Sequence, residues 1–137
     1  MRILLDTNIL VSALLSRDGP PGQVLAAIKH QGHTLITSQF QIEEFRSVVS
    51  RKHLRTRISQ EDAEDLVYNM EAVGVVVTDL PQIDLSPDPD DNLILATAVA
   101  GKADILVSGD KADMLSLGNV EGIPILTARQ ALKRLRQ

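Results

Sequence analysis

Four acidic side chains in this 137-residue chain stand where a fold of alternating strands and helices would gather them: Asp6, Glu44, Asp91 and Asp110. Asp6 ends the apolar run Ile3-Leu4-Leu5 and opens the segment Asp6-Thr7-Asn8-Ile9-Leu10. A carboxylate at that point lies at the carboxyl edge of a parallel sheet, where open α/β sheets bind ligands. Asp110 follows the apolar run Ile105-Leu106-Val107 in the same way. Carboxylates collected at one edge repel one another unless a cation neutralises them, and hard oxygen donors of this kind suit Mg²⁺ or Mn²⁺. Asp113, three residues past Asp110, is a candidate further ligand. The chain has no cysteine, which excludes disulfides and thiolate metal sites. His30, His33 and His53 show no ligand spacing.

The elements that must carry these acids can be read from apolar periodicity. Strands are expected over residues 2–5, 34–37, 75–77, 105–107 and 123–126, the last as an edge strand because it contains Pro124. Ile9, Leu10, Ala13 and Leu14 recur at helical spacing, and Val24, Leu25 and Ile28 form a second such set closed by Gly32. Ser38 and Gln41 have capping-box spacing and open a helix with Phe40, Ile42, Phe45, Val48 and Val49, on which Glu44 rides. Ser59 and Asp62 open another, and Thr127 with Gln130 the last. A nearly continuous apolar helix is expected from Asp91 to Ala100. Strands alternating with helices, and apolar on both faces, predict an α/β fold. It is a three-layer α/β/α arrangement with a mostly parallel sheet of about five strands, in one domain over residues 1–137.

Composition narrows the classes. Aromatic residues make up only 2% of the chain, so rings that stack bases are not the mode of recognition. No apolar run is long enough to span a bilayer and no signal segment opens the chain, so a cytoplasmic protein is expected. The net charge is −4, yet Arg46, Arg51, Lys52, Arg55 and Arg57 lie in an acid-free stretch, and the tail adds Lys133, Arg134 and Arg136. An acidic site beside a local basic surface can bind a polyanion through a bridging cation.

Together these segments resemble the PIN-domain family, in particular the bacterial toxin components of toxin–antitoxin pairs. The matching pieces are Leu5-Asp6-Thr7-Asn8-Ile9, and Ser38 with Glu44-Phe45 six residues on. The others are Asp88-Pro89-Asp90-Asp91-Asn92 running into Ala96-Thr97-Ala98, and Leu106-Val107-Ser108-Gly109-Asp110-Lys111 followed by Met114-Leu115. The resemblance covers nearly the whole chain. It implies a metal-dependent ribonuclease in which Asp6, Glu44, Asp91 and Asp110 hold one or two Mg²⁺ or Mn²⁺ ions. Thr7, Asn8, Ser38 and Ser108 would support the site, and Arg46, Arg51, Lys52 and Lys111 would touch RNA. Glu44 is preferred over Glu43, and Asp91 over Asp90. A cognate antitoxin and a second copy of the chain are the implied partners, the latter through the helices around residues 40–49 and 59–73.

Other functions fit less well. A haloacid-dehalogenase-like phosphatase would use Gly109-Asp110-x-x-Asp113 but needs an acid where Asn8 stands. A receiver domain would need an acidic pair after the first strand and a phosphorylatable aspartate ending the third, for which only Asp79 is available. A PIN fold that binds without cleaving is the non-enzymatic alternative.

Overall fold

Short β-branched and leucine-rich segments form the strands, and polar breaks after β1, β2 and β6 start the helices that follow them. In the computed structural model, which describes residues 1–110 and 112–136, the order is β1 (Arg2–Leu5), α1 (Thr7–Leu15), α2 (Pro20–His30), β2 (Thr34–Ser38), α3 (Gln39–Val49), α4 (Lys52–Arg55), α5 (Gln60–Ala72) and β3 (Val75–Val77). It continues with α6 (Pro89–Ala100), β4 (Ile105–Val107), a 3₁₀ turn over Leu115–Leu117, β5 (Asn119–Val120), β6 (Ile123–Leu126) and α7 (Ala128–Leu135). Among the described residues the strands form one sheet in the order β3-β2-β1-β4-β6-β5. All neighbours are parallel except β5 and β6. No helix among these residues is long and apolar enough to cross a membrane.

The two faces of the sheet bury separate cores, as the period-two alternation of a strand requires. Ile3, Leu5, Ile105 and Val107 face a cluster built with α1, α2, α3, α5 and α7, whose largest member is Phe45. Leu4, Leu106, Ile36 and Ile125 face the other way, against Ile94, Leu95 and Ala98 of α6 and Met114. The result is the expected three-layer α/β/α fold.

Three details differ from the sequence reading. The expected edge strand, β6, is flanked by β4 on one side and by the two-residue β5 on the other, with Asn119 opposite Pro124. Glu121 and Gly122 both have positive φ, 46° and 85°, which is the geometry of a tight hairpin turn. The helix expected from Asp91 begins at Pro89, because proline favours the first helical position and Asp88 caps it by accepting from the Asp90 N–H at 2.9 Å. The apolar residues of α3 and α5, put forward as a dimer surface, are largely buried within the chain: Ile42, Phe45, Val48, Ala63, Leu66, Val67 and Met70.

Close approach of α6 to the sheet sets the depth of the edge it supports. Gly101, which ends α6, leaves no room for a side chain: a Cβ there would lie 2.4 Å from Ile36 Cγ2 and 3.1 Å from the Thr97 carbonyl. Substitution G101A is expected to lower stability by about 1–3 kcal/mol through overpacking. Urea denaturation measures this, and an unchanged midpoint would mean that α6 shifts freely on β2.

Candidate metal centre at the carboxyl edge

Asp6 occupies the N-cap of α1, yet its carboxylate makes no capping hydrogen bond. The backbone explains why. The Asp6 N–H extends the ladder to the Val107 carbonyl at 2.8 Å, so the residue sits at the last rung between β1 and β4. Its carboxylate is aimed past the strand end and accepts from Ser108 Oγ at 3.0 Å. The same Ser108 oxygen accepts from the Asp110 N–H at 3.1 Å. One buried hydroxyl therefore connects the acids that follow β1 and β4.

Glu44 reaches the edge from the second turn of α3. Thr7 Oγ1 donates to Glu44 Oε1, while Glu43 points outward and is exposed. The start of α3 is fixed by two devices. Ser38 Oγ accepts from the Gln41 N–H at 3.3 Å and lies 2.9 Å from Thr97 Oγ1 of α6. Gln41 does not fold back on Ser38 as a capping box would have it. Its amide instead donates to the Leu5 carbonyl at 2.6 Å and accepts from Thr37 Oγ1 at 2.7 Å. Fully buried, Gln41 ties α3 to the ends of β1 and β2, and Ser38 positions α3 and α6 rather than touching the carboxylates.

Asp91 stands in the first turn of α6 and accepts from Ser86 Oγ at 3.3 Å. The loop ahead of it is held by Asn92, whose Oδ1 accepts from the Leu85 and Ser86 N–H groups and whose amide donates to the Ser86 carbonyl. Asp110 turns the chain back on itself: its Oδ1 accepts from the N–H groups of Ala112 and Asp113, both at 3.1 Å. That turn brings Asp113 inward, so that Asp91, Asp110 and Asp113 each offer a carboxylate oxygen within 4.8 Å of the others. Oxygens around an octahedral ion at roughly 2.1 Å are separated by about 3 to 4.2 Å. Asp6 and Glu44 lie outside this trio, though Asp6 is near enough for its charge to act on Asp91.

The electrostatics are those of uncompensated acid. Burial raises the Asp6 carboxyl above the ordinary range, the charges of Asp110 and Asp88 add to it, and the Ser108 hydroxyl and Thr7 N–H oppose it. Burial likewise raises Glu44, with Asp90, Asp6 and Asp88 adding and the Thr7 hydrogen bond opposing. Asp91 is pushed up to about 6, by burial first and then by Asp88, Asp6 and Asp110. Among the described residues no lysine, arginine or histidine forms an ion pair with these acids.

Sequence reasoning placed several residues differently. Asp88, not among the candidate acids, caps α6 and lies close enough to raise Asp6, Glu44 and Asp91 alike. The Asp-Pro pair was the available signal, since proline in the first turn makes the preceding residue the cap. Ser86 carried no signal at all. Asn8 is exposed, and its side chain bonds to none of the described residues. Arg46 lies two residues past Glu44, roughly 200° around the helix. It pairs with Glu64 and Glu71 of α5 at 3.5 and 3.8 Å, away from the site. Arg51 and Lys52 are exposed at the start of α4. Lys111 lies outside the described residues.

The receiver alternative fails on topology. A receiver's third strand lies beside its first. Here β3 is the sheet's outermost strand with β2 between it and β1, so Asp79 is remote from Asp6. The phosphatase alternative lacks its second acid, because Asn8 is neutral and exposed.

A pH dependence follows from Asp91. Its folded pKa of about 6 exceeds the unfolded value of about 3.9, so the protonated form is favoured in the folded state. That stabilisation is complete below the unfolded value and is lost as pH rises through about 6. Metal-free D91N is expected to melt a few degrees above the parent protein at neutral pH, with the gap closing as the pH falls from about 6 toward 4. Calorimetry in a chelator reads this, and a gap independent of pH would refute the assignment.

Comparison with known proteins places this geometry in a family. A family profile described as PIN domain matches residues 2–112. An uncharacterized protein of Methanocaldococcus jannaschii is 28% identical over 118 residues, covering 85% of this chain and 75% of that protein. A chain in the crystal structure of VapBC2 from Rickettsia felis bound to a DNA fragment from their promoter superposes with a TM-score of 0.59 at 17% identity. That match covers 91% of this chain and 97% of the other, and so shares the fold. With the profile spanning most of its length, including Asp6, Glu44, Asp91 and Asp110, this chain belongs to the PIN-domain family.

Proposed function

We propose that the chain is a Mg²⁺- or Mn²⁺-dependent endoribonuclease, the toxin component of a toxin–antitoxin pair. One observation carries this reading: Asp91, Asp110 and Asp113 offer oxygens within 4.8 Å of one another, Asp6 and Glu44 lie near enough to feel neighbouring acids, and no cationic side chain bridges them among the described residues. Such an arrangement is costly for the protein alone and favourable once a divalent cation is bound. Family membership supports it, since PIN domains are generally nucleases and typically bind divalent metals. The likeness to VapBC2 favours the toxin–antitoxin setting.

In this reading Asp91, Asp110 and Asp113 would hold an ion, with Asp6 and Glu44 available to it or to a second one. A bound ion lowers the pKa of a water and offsets charge building on the phosphate. The chain's own residues keep the acids in place: Ser108 spans Asp6 and Asp110, Thr7 holds Glu44, and Ser86 holds Asp91. None of them is needed as a nucleophile, because water attacks. The partners are RNA, a cognate antitoxin covering the acidic edge, and a second copy of the chain, in the cytoplasm. The large apolar residues exposed there for that copy are Tyr68 of α5 and Val73 just past its end.

The test is cleavage of a mixed RNA panel by purified protein with Mn²⁺, Mg²⁺ or a chelator, beside D6N. Cleavage is expected only with metal and should fall by roughly a hundredfold in D6N. Equal cleavage by D6N would point to a contaminant. Absence of cleavage in every metal, from protein free of antitoxin by mass spectrometry, would favour a PIN fold that binds without cutting.

A further inference from the structure

We infer that the exposed face shared by α2 and α7 is a docking tract for the phosphate backbone of an RNA strand, continuous with the carboxylate edge. The inference rests on the ribonuclease reading and extends it to how substrate is held. Residues 122–137 contain Arg129, Lys133, Arg134 and Arg136 and no acid, and residues 19–42 contain no acid either, in a chain of net charge −4. Arg129, Lys133 and Arg136 follow one another at helical spacing on one side of α7. With Pro20, Gln23 and Leu132 they line an open groove of about 430 Å³ between the two helices.

These cations have no structural task that accounts for them. Among the described residues none forms an ion pair with a carboxylate, and Arg136 donates only to Gln23 Oε1 at 2.9 Å. Arg129 stands in the first turn of α7, the end of a helix at which positive charge is disfavoured by the dipole. The helix is already secured there by a full capping box between Thr127 and Gln130. Stability therefore does not explain Arg129, whereas an anionic ligand does.

Position ties the tract to the site. The Leu126 carbonyl, just ahead of the α7 cap, accepts from the Ser108 N–H at 2.9 Å, and the Ser108 hydroxyl donates to Asp6. α7 thus begins beside Ser108 at the acid-bearing edge, and the groove lies along that helix. A polyanion nearing an acidic edge is repelled, and an adjacent row of cations offsets that repulsion. With few aromatics to stack bases, the contacts would be to phosphate and would position the strand without reading its sequence.

The experiment is a fluorescence-anisotropy titration of labelled single-stranded RNA with D6N in Mg²⁺, so that binding is read without cleavage. The triple variant R129Q/K133Q/R136Q is compared with R51Q/K52Q/R55Q, which removes the same charge from α4. The α7 variant is expected to raise Kd roughly tenfold and to flatten the plot of log affinity against log salt by about 2, with melting unchanged. The α4 variant should change both less. Failure of D6N to bind RNA, unchanged Kd and slope in the α7 variant, or a larger loss in the α4 variant would each overturn the tract. So would loss of binding to polyglutamate with RNA binding intact, which would assign the face to an acidic partner. Cleavage by the parent protein separates the two readings. If it cuts RNA and the α7 variant binds as before, only the tract falls. If binding depends on α7 but the parent never cuts, only the ribonuclease reading falls.

Discussion

β1 and β4 run side by side with Leu5 opposite Val107, and the remaining features of the acidic edge hang from that pairing. It fixes Asp6 on the last rung through its N–H to Val107, and it sets Ser108 where one hydroxyl meets Asp6 and the Asp110 backbone. A slip of one residue would exchange the two faces of β1, sending Leu4 to the layer now occupied by Ile3 and Leu5. Because both faces are buried, such a slip is strongly opposed. The hydrophobic cores thus specify, at a distance, where a carboxylate sits.

The helices are attached to that frame by buried polar links rather than by packing alone. Gln41 joins the Leu5 carbonyl to Thr37, and Ser38 lies between α3 and Thr97 of α6. Within an apolar interior each such bond must be made, since an unpaired polar group there is costly. Among the described residues no buried side-chain nitrogen or oxygen is left without a partner. These bonds have directions, which leucine contacts lack, and so they set the angle at which Glu44 and Asp91 approach the edge.

Much of this was legible in the sequence. Strand positions followed from apolar runs, and Asp6 and Asp110 followed from the strands that precede them. What escaped reading depends on local geometry with weak composition signals. The hairpin turn at Glu121-Gly122 lacks the usual asparagine or aspartate before its glycine. Asp113 was a candidate only by its distance from Asp110, and nothing in its spacing reveals that Asp110 folds the chain back by accepting two N–H groups. Gln41 matched a capping box by spacing, but the nearby Leu5 carbonyl, 36 residues earlier in the chain, was the partner it met. Arg46 was grouped with its basic neighbours in sequence, whereas helix geometry turns it toward α5.

The bond from Ser108 to Asp6 spans 102 residues, and this has a consequence for a chain still being synthesised. β1 is made well before β4 yet lies beside it in the finished sheet, with one flank bare until β4 appears. Asp110 and Asp113 come later still. The full set of acids therefore cannot assemble in a nascent chain until Asp113 has been made. Whatever chemistry the edge performs is withheld, by connectivity alone, until that point in synthesis.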